Sequence, residues 1–335
     1  MEELLYSVLA KVPTLVLLII IGLSLYVLGK GADILVNEAI GLSIRRGIPK
    51  IIVGATIVSL GTTIPEVTVS VFAAINGNPD LALGNAIGSI ITNTALILGF
   101  AALVGTLPID KKVIGKQGLI QLISALFLGV VSLPILSSGS DGRITQWMGF
   151  VFIALLALYI IGTISLSKKS NNGVSTDFEG KDDSLFSQIT KLILGVALVI
   201  ISSRVLIPSV EMTAIRIGIP QSIIAATLVA FGTSLPELVT AITAVRRGHG
   251  ELAVGNVIGA NILNVLFVIG SSAAVTKGGL LVPIIFYKLQ IPTMIIVLVL
   301  FQIFSNNKKN IITKLQGVLL LATYMAYLVL NYIFI

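Results

Sequence analysis

Glu66 and Glu237 each stand inside a strongly apolar stretch and each close the same six-residue phrase, GTTIPE from Gly61 to Glu66 and GTSLPE from Gly232 to Glu237. The offset of 171 residues between them also carries GNAIGSIITN (Gly84 to Asn93) onto GNVIGANILN (Gly255 to Asn264) without a gap. Seven of the thirteen positions 54–66 and eight of the thirteen positions 81–93 are identical to their counterparts, so one module is present twice. An acid at such depth is costly to insert, and its default reading is a ligand for something that crosses a membrane.

Composition agrees with a bilayer environment. With 56% hydrophobic residues, 11% charged residues and a mean hydropathy of +1.05, the chain cannot cover its apolar surface with polar groups as a soluble globule does. A span needs about 20 apolar residues. Ten candidates lie near 13–45, 50–76, 80–103, 114–136, 143–167, 187–216, 220–246, 251–274, 279–304 and 312–334. The first and sixth are long, which implies tilt or an extra-membrane end. The first also lacks a small-residue cleavage pattern and is too long for a removable signal peptide, so it is expected to stay as a span. The absence of cysteine and a single histidine exclude thiolate sites and argue against zinc or copper. Any cation must be held by oxygen.

With the N-terminus outside, 15 of the 22 basic residues fall on the cytoplasmic side, among them Arg45, Arg46, Lys50, Lys111, Lys112, Arg246, Arg247, Lys308 and Lys309, which satisfies the positive-inside rule in a cell membrane. The net charge of +7 therefore reflects topology, with no call for nucleic acid. The polar stretch 168–186 reads as a cytoplasmic linker between a first repeat, 1–167, and a second, 187–335. Five spans separate equivalent points, an odd number, so the repeats are inverted and their motifs meet near mid-depth. The expected fold is an all-α polytopic membrane protein of ten transmembrane helices in two inverted five-helix repeats, with broken helices at the core.

Pro65 and Pro236 each remove a backbone donor in mid-span and should kink or break the helix, freeing carbonyls at Ser59, Thr62, Ala230 and Thr233. The glycines Gly84, Gly88, Gly255 and Gly259 are spaced for close helix approach. The candidate site unites Glu66, Glu237, Asn93, Asn264, the hydroxyls of Thr62, Thr63, Thr233, Ser234 and Ser89, and those carbonyls. All are hard oxygen donors, suited to Ca²⁺ with its six to eight ligands at about 2.3–2.6 Å. Two carboxylates balance one Ca²⁺; several Na⁺ ions could share the same oxygens, and competition for one cage is the physical basis of exchange. Beside these readings stand structural ones: interhelical hydrogen bonding for Asn93 and Asn264, and bonds to the local backbone for the hydroxyls.

GTTIPE with GNAIGSIITN, then GTSLPE with GNVIGANILN, resemble the paired alpha repeats of the calcium/cation antiporter family, specifically the sodium/calcium exchangers, over essentially the whole chain. The resemblance implies Glu66 and Glu237 as principal Ca²⁺ ligands with the Thr62 and Thr233 carbonyls. It implies flanking Na⁺ sites from Ser59, Thr62, Ser89, Ala230, Thr233 and Ser234, and a central layer completed by Asn93 and Asn264. Two departures stand out: Asn264 where relatives often have aspartate, which looks like the potassium-independent branch, and Ala260 where they have serine, which removes one Na⁺-ligating hydroxyl. Transported Ca²⁺ and Na⁺ are cargo, no cofactor is implied, and the partners are those ions and the lipid bilayer, with no obligatory protein partner. An H⁺/Ca²⁺ antiporter of the same fold is the alternative. An intramembrane enzyme finds no support, since HExxH, GxGD and a serine with a histidine partner are missing, and without GxxxxGK[ST] neither does ATP-driven pumping.

Outside the motifs, Asp33 and Arg204 are equivalent under the offset and are read as a possible salt bridge across the axis. Lys30 and Lys288 are expected to snorkel. His249, with Arg246 and Arg247, reads as a topology signal, and Asp177, Glu179, Asp182 and Asp183 read as solvated linker, lacking EF-hand spacing.

Overall fold

A computed structural model describes residues 2–134, 141–169, 184–218 and 232–334. The helices are α1 (Glu2–Lys11), α2 (Thr14–Arg46), α3 (Lys50–Thr62), α4 (Ile64–Ile75), α5 (Pro79–Val104), α6 (Lys111–Val131), α7 (Gln146–Lys169), α8 (Leu185–Arg216), α9 (Leu235–Arg246), α10 (Gly250–Val275), α11 (Phe286–Ser305) and α12 (Lys314–Phe334). Among the described residues eight helices are long and apolar enough to cross a membrane, and the pair α3 and α4, bent by 46° at its break, makes a ninth. The chain is a polytopic helical membrane protein. The span expected over 220–246 falls partly outside the described residues, as do most of the linker and its four acids; the linker is bounded by the end of α7 at Lys169 and the start of α8 at Leu185.

Besides the helices, two short ribbons pair the connecting loops. Leu107–Pro108 (β1) pairs antiparallel with Ile311–Ile312 (β4), and Gly142–Ile144 (β2) with Leu280–Val282 (β3). These loop backbones are extended and leave the helices with unpaired amides, which they satisfy on each other. Each ribbon joins the first half of the chain to the second.

Burial sorts the helices into a core and a surround. In the most apolar window of α10, 94% of residues are buried, and in α5, 78%, against 28% in α2 and 22% in α12. Helices covered on all sides by protein belong at the centre of a bundle; those with apolar faces left open meet lipid. The long α2 and α8, 33 and 32 residues, pack along each other. Gly31 lies against Leu198 and Val199, Gly195 lies against the backbone of Leu35, and Gln188 donates to the Glu38 carbonyl at 3.2 Å.

The basic loops gather at one end. Lys50 pairs with Glu251 at 3.1 Å and lies 3.0 Å from His249 Nδ1, and Gly250 abuts Thr106 and Pro108, next to the ribbon of β1 and β4. Asp33 does not meet Arg204 as the offset suggested. It takes Arg247, at 2.6 Å to Nη2 and 3.2 Å to Nε, and Arg247 also holds Asn37. Lys30 and Lys288 are exposed, as expected.

Candidate functional site: a buried cage of oxygens

The two acids are placed by identical local structure. Helix α4 begins after Thr63, carries Pro65 in its first turn and puts Glu66 there too; helix α9 begins after Ser234 and repeats the arrangement with Pro236 and Glu237. Proline is tolerated where a helix starts because its missing donor would be unpaired anyway, and the helix dipole favours a carboxylate in that first turn. The same proline that breaks the span thus leaves the glutamate at a helix start in the centre of the bundle. Both ends of α9 lie 171 residues beyond those of α4.

Facing helices bring amides and hydroxyls on one stripe. Asn85, Ser89 and Asn93 follow at intervals of four along α5, as do Asn256, Ala260 and Asn264 along α10, a spacing that keeps side chains on one helix face. A π-helical segment starts beside each terminal asparagine, at Thr92–Ile97 and Asn264–Ile269, and a third spans Gly54–Val58 in α3. Such one-turn bulges are frequent at functional sites. Gly255 and Gly259 let α10 close on α3: a Cβ on Gly255 would sit 2.1 Å from the Ile51 carbonyl, and one on Gly259 2.4 Å from that of Ala55.

Glu66, Glu237, Asn93, Asn264 and Ser59 are fully buried, and Thr62, Thr63, Ser89 and Ser234 are 1% exposed. Buried polar atoms are almost always hydrogen-bonded, yet both oxygens of each glutamate, both amide atoms of Asn93 and Asn264, and the hydroxyls of Thr63, Ser89 and Ser234 have no hydrogen-bond partner among the described residues. Eleven of the seventeen such orphans among the described residues belong to the residues singled out from the sequence. The Glu66 carboxylate feels the charge of Glu237, and the Thr62 hydroxyl faces Glu237, so the two copies converge. No third acid joins them among the described residues.

Some expected ligands are otherwise engaged. The Ser59 hydroxyl donates to the Thr56 carbonyl at 3.2 Å. The Ser59 carbonyl is not free, since it accepts the Thr63 amide at 2.9 Å and the Thr62 hydroxyl at 3.4 Å. Thr233 is half-buried, and its hydroxyl donates to Asn85 Oδ1 at 2.9 Å. Ala230 lies outside the described residues. Asn85 and Asn256 were missed by the sequence reading. Asn85 joins Thr233 to the Glu66 carbonyl, to which its amide donates at 3.2 Å, while Thr62 donates to Asn256 Oδ1 at 3.4 Å, the equivalent bond with the copies exchanged. The signal that could have found them was present: both are the asparagine of a repeated Gly-Asn pair.

Comparison with known proteins points the same way. The model of a family described as sodium/calcium exchanger protein matches residues 16–165 and 188–333. The chain is 33% identical over 328 residues to the inner membrane protein YrbG of Escherichia coli (strain K12), covering 94% of this chain and 96% of that one. It is 30% identical over 346 residues to the sodium/calcium exchanger MaX1 of Methanosarcina acetivorans, covering 93% and 97%. A structure of the sodium-calcium exchanger NCX_Mj, soaked with zero Na⁺ and Ca²⁺, superposes with a TM-score of 0.79 at 27% identity, covering 94% and 98%.

Proposed function

The chain belongs to the sodium/calcium exchanger family, a transporter rather than an enzyme, and from that premise we propose that it exchanges Na⁺ for Ca²⁺ across the membrane by alternating access. The observation that carries the reading is the set of four carboxylate oxygens, two from each copy, buried and without a hydrogen-bond partner among the described residues. Two negative charges held in a low dielectric with nothing to satisfy them are costly, and a divalent cation between them removes that cost. Glu66 and Glu237 are the principal Ca²⁺ ligands with the Thr62 and Thr233 carbonyls, and Asn93 and Asn264 complete the layer. Ser59, Thr62, Ser89, Ala230, Thr233 and Ser234 contribute oxygens to flanking Na⁺ sites. The unpartnered neutral oxygens of Thr63, Ser89, Ser234, Asn93 and Asn264 favour Na⁺ over H⁺ as the coupling ion, because a proton needs only the carboxylates. Asparagine at 264, in place of a third acid, supports independence from K⁺.

The architecture that serves this is ten spans in two inverted repeats, 1–167 and 187–335, joined by the 168–186 linker, in the cell membrane with the N-terminus outside. Its support is the recurrence of α4 as α9 at the fixed offset, the matched Thr–Asn bonds, and the gathering of basic loops at one end. The tightly paired α2 and α8 move as a unit over the core. Where α8 crosses the motifs, Gly61 meets Val196 and Gly232 meets Ile207, apolar contacts that can slide. An empty cage leaves Glu66 and Glu237 repelling each other, which disfavours the unloaded transition and couples the two fluxes.

The test is uptake of radiolabelled Ca²⁺ by proteoliposomes under an imposed Na⁺ gradient or an imposed pH gradient. The Na⁺ gradient should drive uptake, and Glu66→Gln and Glu237→Gln should nearly abolish it. Uptake driven by the pH gradient alone transfers the reading to H⁺ exchange, and wild-type rates in either glutamine variant remove the cage mechanism.

A further inference from the structure

The two halves of the cage share their backbone but not their supports. In the first copy Asn85 is fully engaged. Its Oδ1 accepts from Thr233, and its amide donates to the Glu66 carbonyl and, at 2.9 Å, to Ser70 Oγ. Ser70 is itself buried and donates to the Ala82 carbonyl at 3.0 Å, so it is pinned from both sides. Glu66 and Ser70 lie one turn apart on α4, and Ala82 and Asn85 one turn apart on α5. One serine therefore ties the two helices together directly below the glutamate.

In the second copy the equivalent of Ser70 is Ala241, fully buried and with no hydroxyl to offer. The equivalent of Asn85 is Asn256, whose Oδ1 accepts the long 3.4 Å bond from Thr62, a donor that Thr62 divides with the Ser59 carbonyl. The Asn256 amide nitrogen is fully buried and has no partner among the described residues.

We infer that Ser70 and Asn85 are positioning residues that brace the Glu66 half of the cage, and that residue 241 is where the same brace is missing, leaving the Glu237 half free to readjust between ion loads. The inference rests on the exchange reading for its functional meaning. Outer-shell partners that orient metal ligands change metal affinity by about 10- to 100-fold when removed. Ser70 acts through Asn85 on both copies at once, since Thr233 and Glu66 hang from the same amide.

Hydrogen exchange and Ca²⁺ uptake on the full-length protein test the proposal. In the wild type, backbone amides of residues 237–241 should exchange faster than those of 66–70, a comparison readable whatever the cargo. Ser70→Ala should raise the Ca²⁺ KM by about 10-fold with little change in kcat and a melting temperature close to wild type, and should bring exchange at 66–70 up to that at 237–241. Ala241→Ser should slow exchange at 237–241 and lower the Ca²⁺ KM. Equal exchange in the two wild-type segments overturns the inference, as does a wild-type KM in Ser70→Ala or a KM that rises only with loss of thermal stability. If Ala241→Ser does not fold, Ser70→Ala and the wild-type comparison decide. Absence of any Ca²⁺ uptake by the wild type refutes the exchange reading instead, and leaves the exchange comparison standing.

Discussion

Gly259→Ala puts a methyl group on α10 in place of one hydrogen, and the structure sets its effect. The new Cβ would lie 2.4 Å from the Ala55 carbonyl oxygen, 2.6 Å from Ala55 Cα and 2.5 Å from Ser59 Oγ. Ser59 could rotate away; the Ala55 backbone cannot, because it belongs to the π-helical segment of α3 and its carbonyl also accepts the Tyr159 hydroxyl at 3.3 Å. Restoring ordinary contact requires α10 to retreat from α3 by about 1 Å, and overpacking of this kind costs about 1–3 kcal/mol. Asn264 rides on α10 and Thr62 on α3, so the retreat opens the cage. A shift of about 1 Å is several times the width of the Ca²⁺–oxygen range, about 2.3–2.6 Å, and misplacement on that scale costs on the order of 10²-fold in activity. Gly259→Ala should therefore lower kcat/KM for Ca²⁺ by about two orders of magnitude while the folded fraction still elutes as wild type. Gly255→Ala, directed at the Ile51 carbonyl, should behave alike. Gly22→Ala, exposed and with nothing within 4 Å, should be neutral or stabilising by up to about 1 kcal/mol. Uptake at varied Ca²⁺ with thermal melts of all three variants checks this, and wild-type kinetics in Gly259→Ala would refute the claim that glycine contact sets the cage.

Arg247 clamps α2 through Asp33 and Asn37 from the end of α9, a polar tie between α2 and the core. Its side chain and that of Asp33 are 37% and 41% exposed, so the tie is worth at most about 1 kcal/mol, and Asp33→Asn should change the transport rate less than about fivefold with the Ca²⁺ KM kept; a rate change of a hundredfold would contradict a surface tie. His249, in the turn before α10, has its pKa lowered from 6.5, first by burial and then by Lys50. The folded chain therefore binds the proton less well than the unfolded chain, and this contribution is harmless above about pH 6.5 and destabilising as pH falls below it. The melting temperature should drop from pH 7.5 to pH 5.5 by less in His249→Gln than in wild type, and an equal drop in both would remove this account.

The cage was legible in the sequence because its residues recur at one offset, and a recurring acid in an apolar stretch has few uses. Asn85 and Asn256 escaped because they bond to the candidate ligands Glu66, Thr62 and Thr233, and nothing in the residue type distinguishes that from helix packing. The pairing of Asp33 with Arg204 failed for a geometric reason. Equivalence under a sequence offset does not by itself bring two side chains into contact, and Arg247, just past the end of α9, reaches Asp33 instead. The π segments leave no pattern in side-chain periodicity over five or six residues, and strands of two or three residues are too short to show alternation. The bound on Ser59 as a carbonyl donor came from backbone bonding that a proline count cannot anticipate.

The ribbons of β1 with β4 and β2 with β3 are small, yet they stitch loops of one half to loops of the other at two places, and neither α2 nor α8 contributes a strand. The loops on either side of α6 are thereby sewn to the loops on either side of α11. A chain cut within residues 170–183 would still have both seams available, so its two fragments, produced together, should find each other and reassemble without a covalent bridge.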